Sequence, residues 1–289
     1  MDFLYLISQV LTLFLAIPTS VFVVEVLLAS EPQPSTAHDQ ATPRPRVAVL
    51  IPAHDEERVI QQTLDSIMPQ LMAEDSVLVV ADNCSDRTAE LAKMVGARVI
   101  ERQNLTQRGK GYALDFGLQS LAANQPPDVV IVIDADCQLS AGGIAALARQ
   151  VMRHGRPVQA LDLMRAPTGS GVALAVAEFA WLLKNQVRAM GLMRLGWPCP
   201  LMGTGMAFPW PLIRSAQLAH GNMVEDMKLG IDLALGGHPA LFCPQVRVTS
   251  EFPTAEHVAH AQRKRWEHGH LATSFAEAPR LIVQSLRNA

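Results

Sequence analysis

The chain has 289 residues, 49% of them hydrophobic and 18% charged, a balance that suits one sizeable folded domain with some membrane character and excludes a disordered tail. A formal net charge of −3 offers no overall attraction to polyanions, so nucleic acid is not an expected partner, and the local run Arg263, Lys264, Arg265 reads as a solvated face. Cys84, Cys137, Cys199 and Cys243 lie far apart without a C-x-x-C pair, which argues against a zinc knuckle or disulfide framework and fits reduced thiols.

From residue 3 to residue 29 only Tyr5 and Glu25 are ionisable, and the stretch is long enough to cross a hydrocarbon core of about 30 Å. It begins Met1-Asp2 without a basic leader, which predicts an uncleaved transmembrane anchor over residues 1–29 rather than a signal peptide. Lys and Arg are absent before the span, whereas Arg44, Arg46 and Arg58 follow it. That bias predicts a single-pass protein of the inner (plasma) membrane with the rest of the chain in the cytoplasm. Pro18 and Glu25 count against a span, and the alternative is an amphipathic helix lying on the membrane or buried against a partner.

Residues 30–45, SEPQPSTAHDQATPRP, hold four prolines and no apolar periodicity, and predict a linker. A single domain is expected over 46–289. Short β-rich runs at 47–51, 77–81, 99–101 and 129–133 alternate with helical patterns at 59–71, 86–95 and 113–121. The alternation predicts an α/β fold with a doubly wound, mostly parallel sheet, its strands apolar on both faces because helices cover both. Beyond Gln138 the alternation weakens. Residues 159–163 and 206–208 read as further strands, 171–195 as one long helix, and LGWPCPLMGTGMAFPWP after it as loop for much of its length.

Ligands of an open parallel sheet bind outside the carboxyl ends of the strands, so the polar residues after each apolar run carry the functional reading. PAHDEE supplies Asp55, ADNCSD supplies Asp82 and Asp86, and IDAD supplies Asp134 and Asp136. Asp86 and Glu56 read first as helix caps. Hard divalent cations take carboxylate oxygens, so Asp134-Ala135-Asp136 is a candidate metal pair, although composition alone yields about 0.7 such D-x-D matches by chance. Glu225 and Asp226 open an apolar helical pattern, where the helix dipole favours charged carboxylates. Gln262, Arg265 and Trp266 form Q-x-x-R-W, expected about 0.02 times by chance and placed on neighbouring helical faces. For His257, His260, His268 and His270, nothing nearby completes a buried ligand set.

Taken in order, IPAHDEE, ADNCSD, GKGYALDFGL, IDADCQL, GTGMAFP, VEDMKLG and QRKRW resemble the family 2 inverting glycosyltransferases, particularly the membrane-bound branch of cellulose, hyaluronan, chitin and poly-N-acetylglucosamine synthases. The resemblance covers roughly residues 46–270 and implies the GT-A fold. It implies that Asp55 and Asp82 contact the uracil and ribose side of a UDP-sugar, with Lys110 close to the same nucleotide. Asp134 and Asp136 would hold Mg²⁺ or Mn²⁺, Asp136 more directly. Asp226, with Glu225 beside it, resembles the catalytic base, and Gln262, Arg265 and Trp266 would line the diphosphate and acceptor region. The activity implied is transfer of a sugar to a hydroxyl of a lipid-linked or polysaccharide acceptor, in exopolysaccharide or cell-envelope glycan synthesis.

Two departures qualify the resemblance. Val224 stands where the family often has Thr before Glu-Asp, and residues 271–289 hold no further span, so a channel would come from other subunits or from chain beyond this sequence. A sugar-nucleotide pyrophosphorylase would want a glycine-rich phosphate loop that PAHDEE does not offer. A non-catalytic subunit of a polysaccharide synthase complex is disfavoured by intact Asp136, Asp226 and Arg265.

Overall fold

A computed structural model describes residues 2–30, 44–219, 224–253 and 256–288; the linker expected over 30–45 falls almost wholly outside them, as do the side chains of His257, His260 and Arg263. In chain order the elements are α1 (Asp2–Ala29), β1 (Val47–Ala53), α2 (Ile60–Ile67), β2 (Ser76–Asp82), α3 (Thr88–Met94), β3 (Arg98–Arg102), α4 (Lys110–Ala123) and β4 (Val129–Val132). There follow β5 (Gln138–Leu139), α5 (Gly143–His154), β6 (Val158–Arg165), α6 (Val172–Leu182), a π-helical turn (Leu183–Val187) and α7 (Arg188–Arg194). The chain ends with β7 (Met206–Pro209), α8 (Trp210–Ser215), α9 (Glu225–Leu235), β8 (Leu241–Glu251) and α10 (Glu256–Asn288).

The eight strands form one sheet in the order β3-β2-β1-β4-β7-β6-β8-β5. The half made of β3, β2, β1 and β4 is wholly parallel, as the β/α alternation predicts. β7 then runs antiparallel between β4 and β6, and β8 lies parallel to β6 along most of its length. The period of two in each strand explains the two layers of helix. Val47, Val49, Ile51, Val77, Val79 and Ile131 face one core with α2, α3 and α5. Ala48, Leu50, Leu78, Val80, Val130 and Val132 face the other with α4, α8 and α9. At roughly 1.5–3 kcal/mol per fully buried branched side chain, these two interlayers hold the sheet in place.

The stretch read as one helix over 171–195 is helical from α6 through α7, but it contains the π-helical turn, which inserts a residue into the hydrogen-bond ladder and holds the buried Asn185. Of α1, residues Tyr5–Ala29 are long and apolar enough to cross a membrane. Residues 5–20 are exposed, while the last turns dock on α7. There Glu25, 1% exposed, accepts a hydrogen bond from Arg188 Nε at 2.7 Å, and Gly191 lets the helices touch, since a Cβ at that position would collide with the Glu25 backbone. Glu25, which counted against a span in the sequence, is thus the acid that fastens α1 to the domain.

Candidate active site

The ends of β1 and β2 form the first wall. The chain leaves β1 through Asp55, whose φ of 55° turns the backbone into the left-handed region. Ser85 donates its backbone N–H to Asp55 Oδ1 at 2.7 Å, and chiefly for that reason the exposed carboxylate titrates below its ordinary range. Asp86 accepts the Thr88 N–H at 2.9 Å and the Glu57 N–H at 3.0 Å, so it caps α3 and ties the two loops together. Asp82 closes β2 and is buried against Arg102, its partner in register on β3, with Nη1 2.7 Å from Oδ1. Arg102 also lies 5.6 Å from the centre of the Tyr112 ring. Asp82 therefore shapes this wall from inside an ion pair, whereas Asp55 offers an open carboxylate.

Beyond β4 lies a cluster of acids around one cation. Lys110, the first residue of α4, contacts the Asp134 carboxylate, donates to the Gly203 carbonyl at 2.8 Å and sits 3.8 Å from Glu225. Burial pulls the ammonium down, but Asp134 and Glu225 outweigh it and keep it above the ordinary lysine range. Gly203, at φ 90°, brings in Asp226, since a Cβ there would lie 3.3 Å from Asp226 Oδ2 and 3.6 Å from Lys110 Nζ. The GTG turn is pinned by the fully buried Gln159, which donates to the Thr204 carbonyl at 2.8 Å and accepts the Met202 N–H at 2.9 Å. Thr204 Oγ1 in turn accepts the Asp134 N–H at 3.1 Å. From the start of α4, Lys110 thus reaches Asp134, Glu225 and Asp226.

The cluster carries more negative charge than Lys110 balances. Burial, then the charge of Asp136, pushes Glu56 up to about 7. Burial also pushes Glu225 up to about 7 and raises Asp134. Asp162 on β6, 3% exposed, is pushed to about 7 by burial and then by Asp134. Asp134 and Asp136 offer hard carboxylate oxygens of the kind a divalent cation takes. Among the described residues, the group of three whose ligand atoms lie within 4.8 Å of one another is Asp55, Cys84 and Asp86. In that group burial raises the Cys84 thiol, which works against the thiolate a metal would take, and both acids already accept backbone N–H groups.

On α10, Trp266 packs on Trp181 of α6 with ring centres 5.4 Å apart, and Trp181 meets Phe252 edge-on at 6.1 Å. Gln262 is half-buried and Arg265 exposed. Among the described residues no ion pair joins Arg265 to the strand-end acids. Arg102, Gln159, Asp162, Trp181 and Asn185 were missed by the sequence reading. Arg102 and Gln159 show their meaning only through register and tertiary hydrogen bonds, Asp162 and Asn185 meet across a β6–helix contact, and Trp181 shows its meaning only against Trp266.

A family model described as "Glycosyltransferase like family 2" matches residues 43–269. Among curated relatives, the chain is 26% identical over 240 residues to the probable glycosyltransferase YdaM of Bacillus subtilis, an alignment covering 78% of this chain and 55% of that protein. It is 32% identical over 130 residues to 4,4'-diaponeurosporenoate glycosyltransferase of Staphylococcus haemolyticus, covering 42% of this chain and 33% of the other. The chain thus spans about half or less of the length of these relatives. Among solved structures, the mannosyltransferase PcManGT of Pyrobaculum calidifontis, in complex with GDP-Man and Mn²⁺, superposes with a TM-score of 0.67 at 21% identity, over 92% of this chain and 74% of that one. That likeness establishes the GT-A fold, and the family match, which extends over most of the 289 residues, shows that the chain belongs to glycosyltransferase family 2.

Proposed function

We propose that the chain is a membrane-anchored, inverting glycosyltransferase that moves a sugar from a UDP-sugar to a hydroxyl of a lipid-linked or polysaccharide acceptor. The observation that carries the reading is the cluster in which Asp226, at the start of α9, lies beside Lys110 and Asp134. Asp226 takes the proton of the acceptor hydroxyl, freeing the oxygen to attack the anomeric carbon in line with the departing diphosphate. The bond to UDP breaks as the new bond forms, and one displacement inverts the configuration. Glu225, buried and 3.8 Å from the Lys110 ammonium, serves to hold Lys110 beside Asp226.

Asp55 contacts the nucleotide base on the exposed rim, while Asp82, locked to Arg102, shapes the ribose side. Asp134 and Asp136 would hold Mg²⁺ or Mn²⁺, which would supply positive charge to the leaving diphosphate. Lys110 and Arg265 are the chain's own cations for that diphosphate, and Gln262 and Trp266 line the acceptor side.

The apolar length of α1 and the basic residues Arg44 and Arg46 after it support an inner-membrane anchor with the catalytic domain in the cytoplasm. That placement suits exopolysaccharide or envelope glycan synthesis within the membrane-bound synthase branch, with channel or polymerase subunits as partners. The test uses the purified full chain in its membrane with a panel of UDP- and GDP-sugars and Mg²⁺, Mn²⁺ or chelator. Release of UDP from a UDP-hexose or UDP-N-acetylhexosamine, lost on chelation, is expected. Release of GDP alone, or turnover indifferent to chelator, overturns the donor or the metal assignment respectively.

A further inference from the structure

Much of α10 is exposed, including Leu271, Phe275 and Ile282, and among the described residues it packs chiefly on α9, through charged side chains. Lys228 and Asp232 of α9 pair with each other, as do Glu277 and Arg280 of α10, where Arg280 Nη1 lies 2.6 Å from Glu277 Oε2. Pairs of this kind along one helix are common and weak. Two further contacts cross between the helices: Lys228 Nζ lies 3.5 Å from Glu277 Oε1, and Arg280 Nη1 lies 3.2 Å from Asp232 Oδ1. Glu277 is 6% exposed, and a carboxylate so covered keeps its charge because both cations reach it. It also shares a face with the Q-x-x-R-W motif, since Gln262, Trp266, Gly269, Thr273 and Glu277 recur at helical spacing along the covered side of α10.

Lys228 meets Glu277 and Asp232 meets Arg280, so the two helices run side by side in the same direction. Asp226 opens α9 less than one turn before Lys228, whereas Trp266 and Gln262 precede Glu277 by roughly three and four turns. The motif therefore lies on the stretch of α10 that runs on past the start of α9. We propose that Glu277 is a positioning residue that clasps α10 to α9 through Lys228 and Arg280, and so fixes where Arg265 and Trp266 stand relative to Asp226. The proposal rests on the glycosyl-transfer reading above. An apolar seam between two helices tolerates a slip of one turn, whereas a covered charge with two partners in set places defines one register. Pro279 stands between Glu277 and Arg280 and takes one hydrogen bond out of the α10 ladder, and the clasp grips the helix on both sides of it.

The experiment uses the full chain in detergent with Mn²⁺. Calorimetry gives the Kd of UDP, whose β-phosphate needs Arg265 in place, and of UMP, which has no β-phosphate and depends chiefly on the β1 and β2 wall. Circular dichroism follows the exciton couplet of Trp266 on Trp181, assigned by its loss in Trp266→Phe. In Glu277→Gln the UDP Kd is expected to rise about tenfold, toward that of Arg265→Ala, with the UMP Kd unchanged and the couplet reduced. Gln keeps the shape of the side chain and leaves Lys228 and Arg280 paired with Asp232, so the fold is expected to survive. Lys228→Met is expected to act alike, and the double variant to lose less than the sum of the two. An unchanged ratio of UDP to UMP affinity, equal loss of both nucleotides, an unchanged couplet or strictly additive variants overturns the clasp. A wild-type protein that binds neither nucleotide overturns the glycosyl-transfer reading instead, and the couplet then decides the clasp by itself.

Discussion

In β1, β2 and β4 the acids follow directly on the apolar run that makes each strand, and a left-handed residue such as Asp55 or Asn83 turns the chain at the strand end. In the other half of the sheet no site residue stands at such a place. Asp162 is inside a strand, Asn185 in a π-helical turn, Gly203 in a glycine loop and Asp226 at a helix start. The first half presents groups to a ligand through a regular parallel scaffold. The second half assembles its groups by tertiary hydrogen bonds, such as those from Gln159 to the GTG turn. Nucleotide binding is therefore expected to follow the first half and chemistry the second.

The largest effect should separate them. Asp226→Asn is expected to lower turnover by roughly 10²–10⁴-fold, the usual contribution of a general base, while UDP affinity by calorimetry stays within about twofold. A parallel loss of both would erase the division. Lys110 bridges the two halves, and Lys110→Met leaves Asp134 and Glu225 buried without their cation. Because a fifth to a third of the Lys110 and Asp134 side chains reach solvent, the cost should fall below that of a fully buried pair, at about 2 kcal/mol in chemical denaturation. Part of it should return with Mn²⁺ and UDP. Asp55→Ala should weaken UDP about tenfold, as expected for one charge-assisted hydrogen bond, and leave the turnover of saturated enzyme near wild type.

The smallest effect concerns pH. Glu56, Asp162 and Glu225 are each pushed up to about 7, so the folded chain keeps protons that the unfolded chain, with ordinary carboxylates near about 4, has already released. Their contribution to stability is complete at low pH and is lost as the pH rises from about 4 to about 7. Thermal melting in chelator should fall across that window, and Asp162→Asn should flatten the fall without removing it. An unchanged slope in that variant would show that Asp162 does not hold its proton in the folded state.

The parallel half was legible almost residue by residue, because a strand covered on both faces is a continuous apolar run and its end is marked by the polar residues that follow. The antiparallel insertion of β7, the length of β8 and the helix α5 were not anticipated, since mixed pairing breaks the alternation that made the rest readable. Q-x-x-R-W stood out by composition, yet the Trp181 ring that Trp266 packs on carried no signal of its own. Glu25 was read as a flaw in an apolar helix, and its partner Arg188 lies 163 residues away.

By itself the sequence determined the α/β class, the apolar N-terminal helix, the strand-end acids and the order of the site motifs. Each of these depends on periodicity or on neighbours a few residues apart, where local sterics and hydrophobic patterning dominate. Only the tertiary structure decided that Asp82 is neutralised by Arg102, that Lys110 joins Asp134, Glu225 and Asp226, and that Asp162 meets Asn185. Those contacts follow from strand register, from where a helix begins over the sheet, and from one extra residue in a helical turn. A buried charge takes its chemistry from whatever packing brings beside it.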